Sequence, residues 1–212
     1  SEQVRCFLIE KAGNIEFPVD FNSIPITMLS KLEWLKSILI YCAEADEDQN
    51  FSYLDSLPLE LTIDNKINII SDNRLLDNKP RLSVFEQDKS LFIHPEIIEI
   101  VKNAKELPPS WLVPSLNNYL TVLNEHIGKY GRTKKEWLKN VISLIVKANE
   151  AEVLDAIEQI HKLEIVCQHD FTFAKLQAGK DSPFLVKEHE ISNIHFLLDA
   201  GMTVVHSEYL NI

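Results

Sequence analysis

The sequence predicts an α+β fold, with antiparallel hairpins and helices in its N-terminal half and mainly helices in its C-terminal half. Two observations carry this. Strand-forming runs flank short turn segments at 11–14 and 64–66, whereas beyond residue 115 apolar residues recur at helical spacing behind capping signals. Between the halves, Pro108, Pro109 and Pro114 cannot donate backbone hydrogen bonds and restrict the residues before them. A boundary is expected there, giving a mixed region over 1–106 and a mainly helical region over 107–212, either as two domains or as one continuous domain.

Taken in order, Val4 to Glu10 and Ile15 to Phe17 read as two strands joined through Gly13. Ser30 and Glu33 have the spacing of a capping box, which predicts a helix from 30 to 45. Leu32, Leu35, Leu39 and Cys42 form one apolar stripe on it and Trp34, Ile38 and Tyr41 a second, so most of its circumference is expected to be buried. Leu59 to Ile63 with Ile67 to Ile70, and Leu82 to Glu86 with Leu91 to His94, read as two further hairpins. Pro95 at a first helical position with Glu96 behind it opens a helix to Lys105.

In the second half, Ser115 to Ile127 is a helix, and Thr133 with Glu136 caps another that runs to Ala148. Asn149 with Glu152 starts a third, with Val153, Ala156, Ile157 and Ile160 on one face. Residues 164–187 fit either state. Ile191 to Ala200 reads as a helix stopped by Gly201, and Thr203 to His206 as a closing strand.

Composition bounds function. With 212 residues, 45% hydrophobic and 25% charged, the chain falls within the globular range and needs neither disulfides nor metal to hold a core. Cys6, Cys42 and Cys167 are odd in number and flanked by apolar residues, the usage of reduced thiols, so a cytoplasmic location is expected. The polar Ser1 to Gln3 lead straight into a strand-like run, unlike a secretory signal. No apolar run approaches the ~18 residues of a membrane span.

There are 21 Lys and Arg against 32 Asp and Glu, a net of −11. Such a balance opposes a surface that tracks nucleic acid or anionic lipid and suits a basic protein partner. The acid is concentrated: between Lys36 and Lys66 lie Glu44, Asp46, Glu47, Asp48, Asp55, Glu60 and Asp64 with no Lys or Arg. Glu44, Asp46, Glu47, Asp48 and Asp55 are the expected partner-binding residues. The reading that follows is an acidic protein-binding protein, of the inhibitor or immunity type, that covers a basic partner by charge complementarity. No catalytic residue, metal ligand or cofactor is assigned.

Other motifs offer other chemistry. Asp46, Asp48, Asn50 and Ser52 present oxygens at alternate positions and resemble the first half of an EF-hand calcium loop. Phe51 stands where that loop has Gly and Leu57 where it has the closing Glu, and Pro58 interrupts its second helix. Gly128, Lys129, Tyr130 and Gly131, with Lys134, Lys135 and Lys139 beyond, resemble the glycine loop of KH domains, which implies a nucleic-acid binder using Gly128 to Lys139. His169 and Asp170 resemble the metal-binding dipeptide of the HD phosphohydrolases, which implies a metal-dependent phosphohydrolase with His126 and Asp199 available to complete its site. Asp181 to Phe184 with Ile194 to Val204 resembles a single ankyrin repeat, a unit that cannot bury its own face. The chain has 5 glycines and neither a phosphate loop nor a nucleophile elbow.

Overall fold

The computed structural model describes residues 19–20, 31–44, 50–55, 57–130, 135–167 and 173–175. Helices and small sheets occur together, an α+β fold. The chain divides into two compact units, Ser1–Pro80 with Asp88–Pro114, and Arg81–Gln87 with Ser115–Ile212. The expected strands at 4–10, 15–17 and 203–206 and the expected helix at 191–200 lie outside the described residues.

In the first unit β1 (Val19–Asp20), β2 (Glu60–Leu61) and β3 (Lys66–Asn68) form an antiparallel sheet in the order β1-β3-β2, with Val19 and Leu61 both opposite Ile67. The β2–β3 hairpin forms where the sequence places it. Its turn is closed by Thr62 N–H to Lys66 C=O at 2.9 Å and by the Thr62 hydroxyl donating to Asp64 at 2.6 Å. Asn65 takes φ 60° there, a left-handed geometry that Asn tolerates better than most residues. A second, parallel pair joins β4 (Arg74–Leu75) to β5 (Trp111–Leu112). The sequence reading expected no strand in the proline-rich stretch. The prolines only flank β5, and the Ser110 and Leu112 carbonyls between them accept from the Arg74 and Leu76 amides.

Helix α1 (Lys31–Glu44) buries Leu35, Leu39 and Cys42 on one face, and Leu32, Trp34 and Ile38 are partly covered. Of the second apolar stripe, expected to be buried with the first, Tyr41 is instead exposed, as is the neighbouring Ile40. Helix α2 (Pro95–Val101) packs against α1, with a Lys36–Glu96 ion pair at 2.7 Å between them. It stops short of Lys105 because the chain turns to pair elsewhere: Phe51 N–H donates to the Glu106 carbonyl at 2.8 Å. Its N-cap is His94, whose Nδ1 accepts from the Glu96 N–H at 3.3 Å, which requires an unprotonated nitrogen.

The expected hairpin over 82–94 is absent. Leu82–Phe85 and Lys89–Leu91 are 3-10 turns, the first ended by Glu86 and Gln87 at φ 47° and 69°. Tertiary pairing overrides the strand propensity. Ile63 N–H donates to the Phe92 carbonyl at 3.0 Å, and Ile93 N–H to the Leu75 carbonyl at 3.0 Å, so 92–93 join other strands.

In the second unit α3 (Leu116–His126) is capped by the Ser115 hydroxyl accepting from Asn118 N–H at 3.1 Å. It packs against α5 (Glu150–Asp155) and α6 (Ile157–Lys162), while α4 (Lys135–Val146) packs against the 82–85 turn. The 149/152 capping box forms in full. The single helix expected behind it is broken at Ala156, which is fully buried. The break places Ile157 on the surface rather than on the buried face with Ile160. Beyond α6, β6 (Glu164–Cys167) pairs antiparallel with β7 (Phe173–Lys175), resolving part of the ambiguous stretch as strand. Among the described residues, no helix is long and apolar enough to cross a membrane.

Candidate functional site

The exposed face of α1 carries Glu33, Ser37, Ile40 and Tyr41, spaced at helical intervals. Ile40 is 41% and Tyr41 53% exposed. A large aromatic left this open on an otherwise well-packed helix is the kind of group that interfaces recruit. Glu44 is the last residue of the same helix, three positions past Tyr41. The acidic run Asp46 to Asp48 follows it directly in sequence and lies outside the described residues.

Asp55 is exposed at the end of the Ser52–Leu54 turn. The remaining two acids of the interval do not belong to an open surface. Asp64 is half-buried and paired with Lys66 at 3.2 Å, and Glu60 is completely buried.

Of the half-loop resembling a calcium site, Asp46 and Asp48 lie outside the described residues, and Asn50 and Ser52 bond to each other. Asn50 Oδ1 accepts from the Ser52 N–H at 2.8 Å and from its hydroxyl at 2.6 Å, while Asn50 Nδ2 donates to Glu106 at 2.6 Å. Phe51 and Leu57 are core residues. Asn50 is therefore a turn former, and no group of three metal-ligating side chains occurs among the described residues.

Around Gly128 the chain forms a 3-10 turn over Ile127–Lys129. A methyl group added at Gly128 would meet nothing within 4 Å, so packing does not require glycine there. Lys129, Lys135 and Lys139 are exposed, but Tyr130 is buried, stacked on Trp137 at 5.9 Å between ring centres and edge-on to Phe85 at 6.3 Å. The tyrosine that would offer a base-stacking platform is engaged in a core. Residues 131–134, and His169 with Asp170, lie outside the described residues.

The feature missed in the sequence is an ion pair in the first unit. Glu60 Oε1 lies 3.3 Å from Arg74 Nε, and Glu60 Oε2 accepts from the Trp111 indole N–H at 3.1 Å. The guanidinium is shared with the surface: Nη2 donates to Asp72 and Nη1 to the Asn73 carbonyl, both at 3.1 Å. Removal from water pushes the Glu60 carboxyl up from 4.5 to about 7, with the Asp72 charge adding to the rise. Arg74 and the Trp111 hydrogen bond oppose that rise. Alternation along Leu59, Glu60, Leu61 and Thr62 reads as one apolar and one solvated face. Instead both residues of β2 are buried. The only hints in the sequence are that Arg74 is followed by Leu75 and Leu76 and that Trp111 is followed by Leu112 and Val113.

His94 is held below its ordinary 6.5 by burial, partly offset by the nearby Glu96 charge. Comparison with protein-family models, curated proteins and solved structures found no match, so function must be argued from these residues.

Proposed function

We propose that the chain is a protein-binding protein that docks a basic partner on the exposed face of α1 and the acidic residues following it, in an inhibitor or immunity-type role. The supporting observation is Tyr41, 53% exposed beside Ile40 on the helix that leads into Glu44, Asp46, Glu47 and Asp48. The two kinds of group divide the work. An aromatic anchor supplies buried contact area and slows dissociation, whereas the carboxylates that follow it in the sequence steer encounter and reject acidic competitors. The net charge of −11 extends that attraction beyond the contact itself.

The experiment is capture of the partner from the native host, followed by binding kinetics with two variants. Replacing Asp46, Glu47 and Asp48 by Asn, Gln and Asn slows association about tenfold at low salt and flattens its salt dependence. Tyr41→Ala leaves association nearly unchanged and speeds dissociation by an order of magnitude or more. An association rate insensitive to the acidic run removes that segment from the interface, and a dissociation rate insensitive to Tyr41 removes α1.

A further inference from the structure

The Glu60–Arg74 pair is built differently from a structural salt bridge. A stable buried pair satisfies both ions with well-aligned hydrogen bonds. Here Glu60 Oε1 and Arg74 Nε are both buried, 3.3 Å apart, and neither makes a hydrogen bond. Charge alone holds them. Every hydrogen bond of the guanidinium points the other way, to the Asn73 carbonyl and to Asp72, whose side chain is 70% exposed. The cation is thus suspended between a fully buried carboxylate and one in water.

We propose that Glu60 is a proton-operated latch: ionised, it draws Arg74 inward and ties β2 to β4; protonated on Oε1, it releases the guanidinium to Asp72. The step is the uptake of one proton from solvent onto the oxygen that carries no hydrogen bond. Oε2 keeps its bond from Trp111, so the acid stays in place while its counter-ion changes partner. The rise of the Glu60 carboxyl to about 7 places this exchange in the neutral range.

The groups around Glu60 are Arg74 from β4, Asp72 just ahead of it, and Trp111 from β5. On β3, Asn68 stands opposite Glu60 in register, and the strand's one charged residue, Lys66, is exposed and pairs with Asp64. The neighbouring 92–94 segment contributes His94, which donates its backbone N–H to the Leu61 carbonyl and turns its ring to the α2 cap. No second buried carboxylate is among them. The latch therefore titrates as a single group, and its release frees β4, whose Arg74 and Leu76 amides bond to Ser110 and Leu112.

The test is a pH series of two-dimensional nitrogen–proton spectra on the full chain, with the Trp111 indole assigned by Trp111→Phe. The Trp111 indole and Arg74 Nε signals should move together along a one-proton curve with a midpoint near 7. Both should be flat in Glu60→Gln, and, once the base-catalysed intrinsic rate is divided out, the Arg74 and Leu76 amides should be less protected below the midpoint than above it. Asp72→Asn, a surface change that does not threaten folding, removes the competing negative charge and lowers the midpoint by about half a pH unit. An indole signal flat across the neutral range, or one that still titrates in Glu60→Gln, overturns the proposal. Should Glu60→Gln fail to fold, Asp72→Asn decides alone, an unmoved midpoint counting against the latch.

Discussion

Trp111 and Trp137 are equally buried, 3% exposed each, and both donate their indole N–H across more than fifty residues of sequence. In the first unit the acceptor is the Glu60 carboxylate. In the second it is the Val84 backbone carbonyl, at 2.8 Å. The chemistry around them differs to match. Trp111 sits beside an ion pair, whereas Trp137 stacks on Tyr130, which meets Phe85, which lies 6.2 Å from Tyr119 under the Arg81 guanidinium. A carbonyl acceptor does not change with pH and a carboxylate does. The two cores therefore solve one problem, a buried indole N–H, at different sensitivity to protons.

The largest effect is expected from removing the guanidinium. Arg74→Met leaves an ionised Glu60 buried without its counter-charge, which costs about 3–5 kcal/mol at alkaline pH. The loss should shrink as pH falls, because a protonated Glu60 needs no counter-ion. The wild-type background has the same sign. Glu60 holds its proton more tightly in the fold, about 7, than in the unfolded chain, 4.5. Its stabilising contribution is complete below 4.5 and is lost as pH rises through about 7. That difference amounts to about 3 kcal/mol. Urea unfolding of both proteins at acidic and alkaline pH measures the two effects, and an Arg74→Met cost that is constant with pH would show that Glu60 is not what the guanidinium serves.

A smaller effect separates the indoles directly. Trp137→Phe deprives the Val84 carbonyl of its donor and thins the stack, a loss of about 2 kcal/mol that does not vary with pH. Trp111→Phe removes a bond that favours the ionised carboxylate, so its cost should be larger above the Glu60 midpoint than below it. Equal pH profiles for the two variants would erase the contrast between the cores.

What was legible in the sequence follows the range of the interactions involved. The 60–68 hairpin, the buried stripe of α1, the helix beginning at Ser115 and the 149/152 box are all readable, because each is fixed by residues a few positions apart. The 82–94 hairpin was misread because Phe92 and Ile93 pair with 63 and 75, and Val84 with an indole over fifty residues on. Pattern within a window cannot weigh such partners. The candidate surface divides the same way. The acidic interval stands out from its charge alone, but that Glu60 is internal and Tyr41 external depends on what packs over each. His94 was missed as a cap because imidazole is outside the usual hydroxyl and carboxylate set.

The smallest prediction compares two left-handed turns. Asn65 in the first unit and Gln87 in the second have φ 60° and 69°, a region that costs most side chains about 1–2 kcal/mol and Asn less. Gln87 is exposed, and its N–H, which closes the turn onto the Leu82 carbonyl at 2.9 Å, is retained by any replacement other than proline. Gln87→Gly relieves the crowding at Cβ but adds freedom to the unfolded chain, and the balance should favour the fold by roughly 0.5 kcal/mol. Asn65→Gly gains less from relief, pays the same entropy and loses the Asn side chain, so it should be neutral or slightly destabilising. Parallel urea titrations resolve the sign. A Gln87→Gly protein no more stable than wild type would mean that the Glu86–Gln87 geometry is held at no strain, and that the aromatic core behind Phe85 imposes nothing on the turn that follows it.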